Sequence, residues 1–436
     1  MTSYPLDRAD GPRNLVADAA RSLSAEDPLS HVFFEERADL RMNVTSSGIP
    51  EVVTNRTRGA AIVGRRSIHL TDPNFADFRW IPVEVPPPSS GSSQFDDKDW
   101  VARLEGGIAA AGTAACAGRR NPFWSAKLVS FHQEVWVGSP GSDVLHDIRR
   151  GCRMEVRVQV GNRPTAFAVG ELILGSNSWH CVQETFVSAF DRAEKRASAS
   201  SPAMPGSTTA VFAPGVAGVV IHELIGHALE GDVIARGCTW VHGGDFPAAV
   251  FPVTVVDDPR RGRGTWAIDD EGVASRETLL IDRGRPVGVL LDRSSAGALG
   301  RASTGHGRRS SYLEAVLPRM GCTFIMPGGD DPADVLRGTR AGVFIRRMAA
   351  GHTDPVSGRA SFVVGDADRI VDGRLAEPLD VFVLELDGLD SWRSIDRIAH
   401  DLAFDTCIGS CVRDGQPLAV SVGAPTIRIG VARVHS

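Results

Sequence analysis

A multi-domain α+β fold is what this sequence predicts, with N-terminal α/β modules ahead of a large β-rich C-terminal domain that contains one long apolar helix. Three observations lead there. At 436 residues the chain exceeds what one compact core accommodates. Helix-like and strand-like stretches are mixed without regular βαβ alternation. Two stretches read as linkers, the Pro- and Ser-rich residues 86–93 and the Ala-, Ser- and Pro-rich residues 197–207. They divide the chain into segments 1–88, 95–197 and 203–436.

In chain order, the first segment predicts a helix over residues 14–23 and strands over 40–44, 50–54 and 59–64. The second opens with an Ala-rich helical stretch, 100–117. It continues with Glu155-Val156-Arg157-Val158-Gln159-Val160, whose period of two marks a half-buried strand. A helix over 181–196 closes it. The third segment holds one strong helix, 216–229, and a second near 332–340. Around them lie short β-prone runs at 252–256, 278–281 and 381–384, separated by Gly and Asp turns. No internal repeat is visible.

Hydrophobic residues at 42% and charged residues at 23% are ordinary for a globular chain. The net charge is −6 and there is no Lys/Arg-rich block, which argues against nucleic acid as a partner. The longest near-continuous apolar stretch, residues 211–221, is interrupted by Pro214, Gly215 and Gly218 and is too short to span a bilayer. Residues 1–14 lack the apolar core of a secretory signal. Seven scattered cysteines, an odd number, predict reduced thiols and a cytoplasmic location.

The chemistry concentrates in His222-Glu223-Leu224-Ile225-Gly226-His227. Two imidazoles and a carboxylate within one helical turn are what a catalytic zinc site needs, with the Glu as base toward water. The usual short form spaces its histidines four apart, on one face. Here they are five apart, which in a regular helix separates them by roughly 140°. A one-residue π-bulge would bring the rings together, and Gly226 is the permissive residue within that turn. The flanking residues Val216, Ala217, Val219, Val220, Ile221, Leu224 and Ile225 predict a buried helix, where unpartnered imidazoles would be costly. On spacing alone the third ligand stays open among Glu230, Asp232, His242 and a distant Cys.

The sequence closely resembles the TldD/PmbA family of metallopeptidases, in its metal-bearing TldD branch. Six ordered motifs over some 210 residues carry the resemblance: GVVIHELIGHALEGD (218–232), VTVVDD (253–258), IDDEG (268–272), GHGRRSSY (305–312), PRMGCTFIMPGG (318–329) and CVRDGQPLAVSVGAPTIRI (411–429). The first two segments resemble the family's N-terminal and central domains only loosely. The resemblance implies one Zn2+ per chain held by His222, His227 and Cys411, with Glu223 as catalytic base; Cys407 sits four residues before the family's cysteine position. His306, Arg308, Arg309 and Tyr312 are candidates for binding an oxyanion or a peptide end, and Asp269, Asp270 and Glu271 read as a turn. Val412-Arg413 stands where the family usually shows Gly-Lys. The implied activity is hydrolysis of amide bonds in small or unfolded peptides. The alternatives are an amidase or N-deacylase on a small-molecule intermediate, and a non-catalytic partner subunit. The implied assembly is a heterodimer with a metal-free TldE/PmbA-like chain, or a homodimer.

Overall fold

The computed structural model describes residues 12–21, 23, 30–65, 78–84, 98–119, 122–161, 166–171, 178–199, 201–241, 251–405 and 409–435. The N-terminal half runs α1 (Pro12–Arg21), β1 (His31–Thr45), β2 (Glu51–Arg65), β3 (Phe78–Glu84), α2 (Lys98–Cys116), β4 (Phe123–Gly138), β5 (Leu145–Gln159), β6 (Ala166–Glu171) and α3 (Ser178–Ala199). Its six strands form one antiparallel sheet in the order β3-β2-β1-β4-β5-β6. β1 pairs with β4 from Val32↔Gly138 to Thr45↔Ser125, so the first two predicted segments share a single sheet.

Alternation along each strand builds its core. Leu40, Met42 and Val44 of β1, Leu128 of β4 and Met154, Val156 and Val158 of β5 pack with Leu104 and Ile108 of α2 and Val182, Phe186 and Phe190 of α3. Helix α2 lies so close to the sheet that a Cβ on Gly112 would sit 2.4 Å from the Trp124 ring. The predicted runs 40–44, 50–54 and 59–64 are pieces of two 15-residue strands. Ahead of the first run, polar residues such as Glu35, which is buried and accepts a hydrogen bond from Gln133 Nε2 at 2.6 Å, interrupt the apolar signal of the same strand.

In the C-terminal half, strands Ala341–Asp354, Gly206–Phe212, Ile427–His435, Phe382–Asp387 and Arg359–Val371 pair in that order. The last returns to pair with the first, closing a five-stranded barrel. A second sheet of short strands contains Val255–Asp257, Cys322–Ile325 and Ser421–Ala424. The predicted apolar helix spans residues 217–229 between these layers. Val220, Ile221, Leu224 and Ile225 share one buried cluster with Ile345 and Phe362 of the barrel and Val422 and Ile325 of the second sheet. At about 1.5–3 kcal/mol for each such side chain, burial rather than helix propensity holds this helix in place. Gly218 is required there, since a Cβ would lie 2.6 Å from the Gly423 amide nitrogen. Among the described residues no helix is long and apolar enough to cross a membrane.

The two halves meet across the face of the N-terminal sheet. Phe34 points toward α1, and its neighbour Phe33 points the opposite way, where it joins Val135, Val137 and Tyr312 in an apolar seam. Beside the seam Glu35 accepts the Tyr312 amide at 2.7 Å. Arg149 of β5 is fully buried, ion-paired with the fully buried Asp270 and donating to the Ile268 carbonyl at 2.8 Å. Burial pushes the Asp270 carboxyl up, but Arg149, Arg308 and Arg309 hold it below the usual carboxylate range. Breaking a buried pair by removing one partner leaves an uncompensated charge, so Arg149→Met should lower stability by about 3 kcal/mol. Urea denaturation checks this; an unchanged midpoint would show that the pair does not hold the halves together.

Candidate metal centre

The long helix changes its hydrogen-bond pattern where the sequence spacing requires it. Ala217–Ile221 is α-helical, His222–Gly226 is a π turn and His227–Leu229 is a 3-10 turn. The His227 amide donates to the His222 carbonyl, an i→i+5 bond. That widening places the two imidazoles with ring centroids 5.0 Å apart. Gly226 serves a purpose other than backbone freedom. Its φ is −57°, ordinary for any residue in a helix, but a Cβ there would lie 1.9 Å from Met320 Sδ.

The third member arrives from a hairpin. Strands Cys411–Arg413 and Gln416–Leu418 pair antiparallel, and Asp414 and Gly415 turn between them at φ +48° and +77°. Two consecutive positive φ values match a type I′ turn, for which Asp-Gly is a favoured sequence. Arg319, itself buried, donates to the Cys411 carbonyl at 2.8 Å and the Gln416 carbonyl at 3.0 Å, fixing both strands of the hairpin. Cys411 Sγ then lies 3.4 Å from His227 Nε2. One donor atom from each of His222, His227 and Cys411 falls within 4.8 Å of the others.

These residues fit a zinc ion on three grounds. Both ring nitrogens of His222 are buried without a hydrogen-bond partner among the described residues, an arrangement costing about 1–3 kcal/mol unless something else binds them. Burial pushes the Cys411 thiol up, but the neighbouring His227 and His222 imidazoles hold it well below the ordinary thiol range, favouring thiolate. Burial pushes His227 down, while Glu230 and Cys411 raise it well above its usual value, so the cluster calls for positive charge. Two imidazoles and one thiolate supply three protein ligands of the types zinc binds, the number that catalytic sites use.

Behind the donors, Glu230 is fully buried and its Oε2 lies 3.0 Å from His227 Nδ1, leaving Nε2 toward Cys411. Glu230, one of the ligand candidates left open by spacing, thus sits behind the imidazole. Asp232, another, pairs with Arg413 and Arg236. Glu223 reaches to 4.0 Å from His227 Nε2 and lines the same cavity. His242 and Cys407 lie outside the described residues.

The cavity has a volume of about 880 Å3. One wall is the strand stretch Met348–Thr353; another carries Arg153 and Glu155 of β5. The strand Ala341–Asp354 pairs along its length with Arg359–Val371, but with Gly206–Phe212 only at Val343–Ile345. Beyond Ile345 no strand among the described residues pairs with that second edge.

His306, Arg308, Arg309 and Tyr312 are not among the residues lining the cavity. All four are buried. His306 Nε2 meets Asp257 at 3.1 Å. Arg308 pairs with Asp270 at 3.4 Å and lies over the Trp266 ring, and Arg309 lies over Phe33. Tyr312 fills the apolar seam between the halves. Asp269 accepts amides from Glu271, Val273 and Gly307, which is the predicted turn, although a buried one.

A family model described as the PmbA/TldA metallopeptidase C-terminal domain matches residues 205–436. A Metalloprotease TldD homolog of Buchnera aphidicola is 28% identical over 70% of this chain and 66% of its own length. One from Haemophilus influenzae is 30% identical over the same shares, 70% and 66%. A Zinc metalloprotease TldD homolog of Saccharolobus solfataricus is 28% identical over 52% of each. This chain thus spans two thirds or less of the length of these relatives. The crystal structure of TldE from Thermococcus kodakarensis superposes with a TM-score of 0.69 at 16% identity, over 93% of this chain and 96% of that one. A putative modulator of a DNA gyrase from Thermotoga maritima gives 0.71 at 13%, with the same coverage. At such identities these two likenesses bear on the fold alone.

If Met320 is what demands glycine at 226, Gly226→Ala should destabilise the protein by about 1–3 kcal/mol through overpacking, despite alanine's better helix propensity. Met320→Ala in that background should recover part of the loss. Thermal unfolding reads both. A stabilised Gly226→Ala protein would refute the steric account.

Proposed function

Because this chain belongs to the TldD/PmbA family of metallopeptidases, we propose that it is a zinc-dependent hydrolase of amide bonds in small or unfolded peptides. The observation that carries this reading is the convergence of His222, His227 and Cys411 within 4.8 Å, in a cavity that Glu223 also lines. One zinc per chain is held by His222, His227 and Cys411. When bound, zinc supplies Lewis acidity to the attacking water and the scissile carbonyl. Glu223, close to the donors but not one of them, takes the proton from water and delivers it to the leaving amine. The Cys411 thiolate lowers the positive charge of the site, which places more of the activation on Glu223.

The second edge at Met348–Thr353, with which no strand among the described residues pairs, favours a peptide over a small-molecule amide. An extended chain can pair its main chain with such an edge, which holds it in register with little demand on side chains. A folded protein presents little unpaired backbone for such pairing, since edge strands are usually short or covered. A non-catalytic subunit, the reading that the fold likeness to TldE raises, gains no support from a chain with all three donors and Glu223 in place.

The purified protein should carry about one zinc per chain by elemental analysis. Glu223→Ala should keep the metal and lose hydrolysis of an unstructured peptide by at least ~100-fold, whereas Cys411→Ser should lose metal. Zinc loss in Glu223→Ala, or full retention in Cys411→Ser, would overturn the assignments.

Assembly with a metal-free homologue or a second copy would enclose the cavity and restrict entry to extended chains. Since one chain holds every donor, metal binding should survive in the isolated chain. Light scattering with peptide and folded-protein assays tests the enclosure: a fully active monomer that digests folded proteins would defeat it.

A further inference from the structure

We propose that Arg413 is a positioning residue for His227, acting through Glu230; the inference rests on the zinc reading above. Arg413 Nη1 lies 2.9 Å from the same Glu230 Oε2 that meets His227 Nδ1 at 3.0 Å. Its other arm pairs with Asp232. Glu230 is fully buried, and a buried carboxylate without a cation is costly. The guanidinium is the partner that holds the Glu230 carboxyl group in place behind the imidazole.

The fold holds both ends of this chain of contacts. Glu230 lies between the 3-10 turn and the helix Gly231–Ala235, where Gly231 donates to Leu290 and Leu290 donates back to Leu229. Arg413 lies two residues beyond Cys411 in the same strand, so both side chains leave by one face. A single hairpin, fixed by Arg319, therefore brings a thiolate to the donor set and a cation to the support of the opposite ligand. Without Arg413, Asp232 keeps Arg236, but the buried Glu230 carboxylate loses its guanidinium partner. Glu230 is then no longer held against Nδ1, and His227 loses the contact that orients Nε2.

Partners of this kind typically contribute 10–100-fold to metal affinity. In competition with a chromophoric chelator, Arg413→Met should bind zinc about 10–100-fold more weakly, and Glu230→Gln should fall in the same range. The double variant should lose no more than the weaker single one, because both remove one interaction. Arg413→Lys, which keeps a cation between the carboxylates, should recover most of the affinity. In the Co2+-substituted protein, Arg413→Met and Glu230→Gln should shift the d–d absorption bands alike, which a general loss of stability would not do. Wild-type affinity and spectrum in Arg413→Met, or additive losses in the double variant, would overturn the proposal. If Arg413→Met does not fold, the same comparison runs on Arg413→Lys and Glu230→Gln, and an unaltered spectrum in Glu230→Gln overturns it. A wild-type chain that binds no zinc would instead defeat the underlying metal reading.

Discussion

The i→i+5 hydrogen bond from His227 to the His222 carbonyl is the constraint around which the C-terminal half is organised. A helix buried between a barrel and a sheet gives an imidazole as deeply placed as that of His222 little water, so it needs another partner. Regular α geometry would give His222 and His227 separate surroundings. The widened turn gives them a common one, at 5.0 Å between ring centroids. A π turn is a poorer hydrogen-bonding arrangement than the α-helix it interrupts. It persists because the helix is held from outside, by Ile345 and Phe362 on one side and Val422 and Ile325 on the other.

That dependence on packing explains which neighbours are tightly specified. Met320 fills the space beside Gly226, and Arg319, the residue before it, anchors the hairpin carrying Cys411. One two-residue stretch therefore packs the widened turn and locates the third donor. The hairpin is short, and its Asp414-Gly415 turn sets where Cys411 and Arg413 fall relative to Leu418 and Gln416. Errors of register there would exchange the faces of Cys411 and Val412.

The sequence made some of this legible and hid the rest for identifiable reasons. The apolar helix and its defect could be read because both depend on local spacing. The helices α1, α2 and α3 fall within a few residues of expectation for the same reason. The shared N-terminal sheet was not legible, since β1 and β4 pair across some ninety residues and nothing local records that pairing. Arg308, Arg309 and Tyr312 are polar residues in a Gly-flanked stretch, a pattern common to binding loops and to buried interfaces. What separates the two is the counter-charge, here Asp270, and an aromatic surface such as Phe33, which only folding brings alongside. Glu230 and Arg413 are more than 180 residues apart in sequence, so their pairing behind His227 leaves no local trace. The Asp414-Gly415 dipeptide was the one available signal that Cys411 lies on a tight hairpin.

The N-terminal sheet bears on the cavity through the same strand that docks it. Along β5, Arg149, Arg153 and Glu155 share the odd-numbered face, as a period of two requires. Arg149 is sunk into the interface with Asp270, while Arg153 and Glu155, pairing with each other at 3.2 Å, reach the cavity wall. Sheet strands are stiff over such distances, so fixing Arg149 fixes where the other two stand. Between them Gly151 leaves room for Arg263, which donates to the Gly409 carbonyl at the approach to Cys411. The buried ion pair between the halves therefore does more than join them. It fixes the strand that carries Arg153 and Glu155 into the wall of the cavity lined by His222, His227 and Cys411.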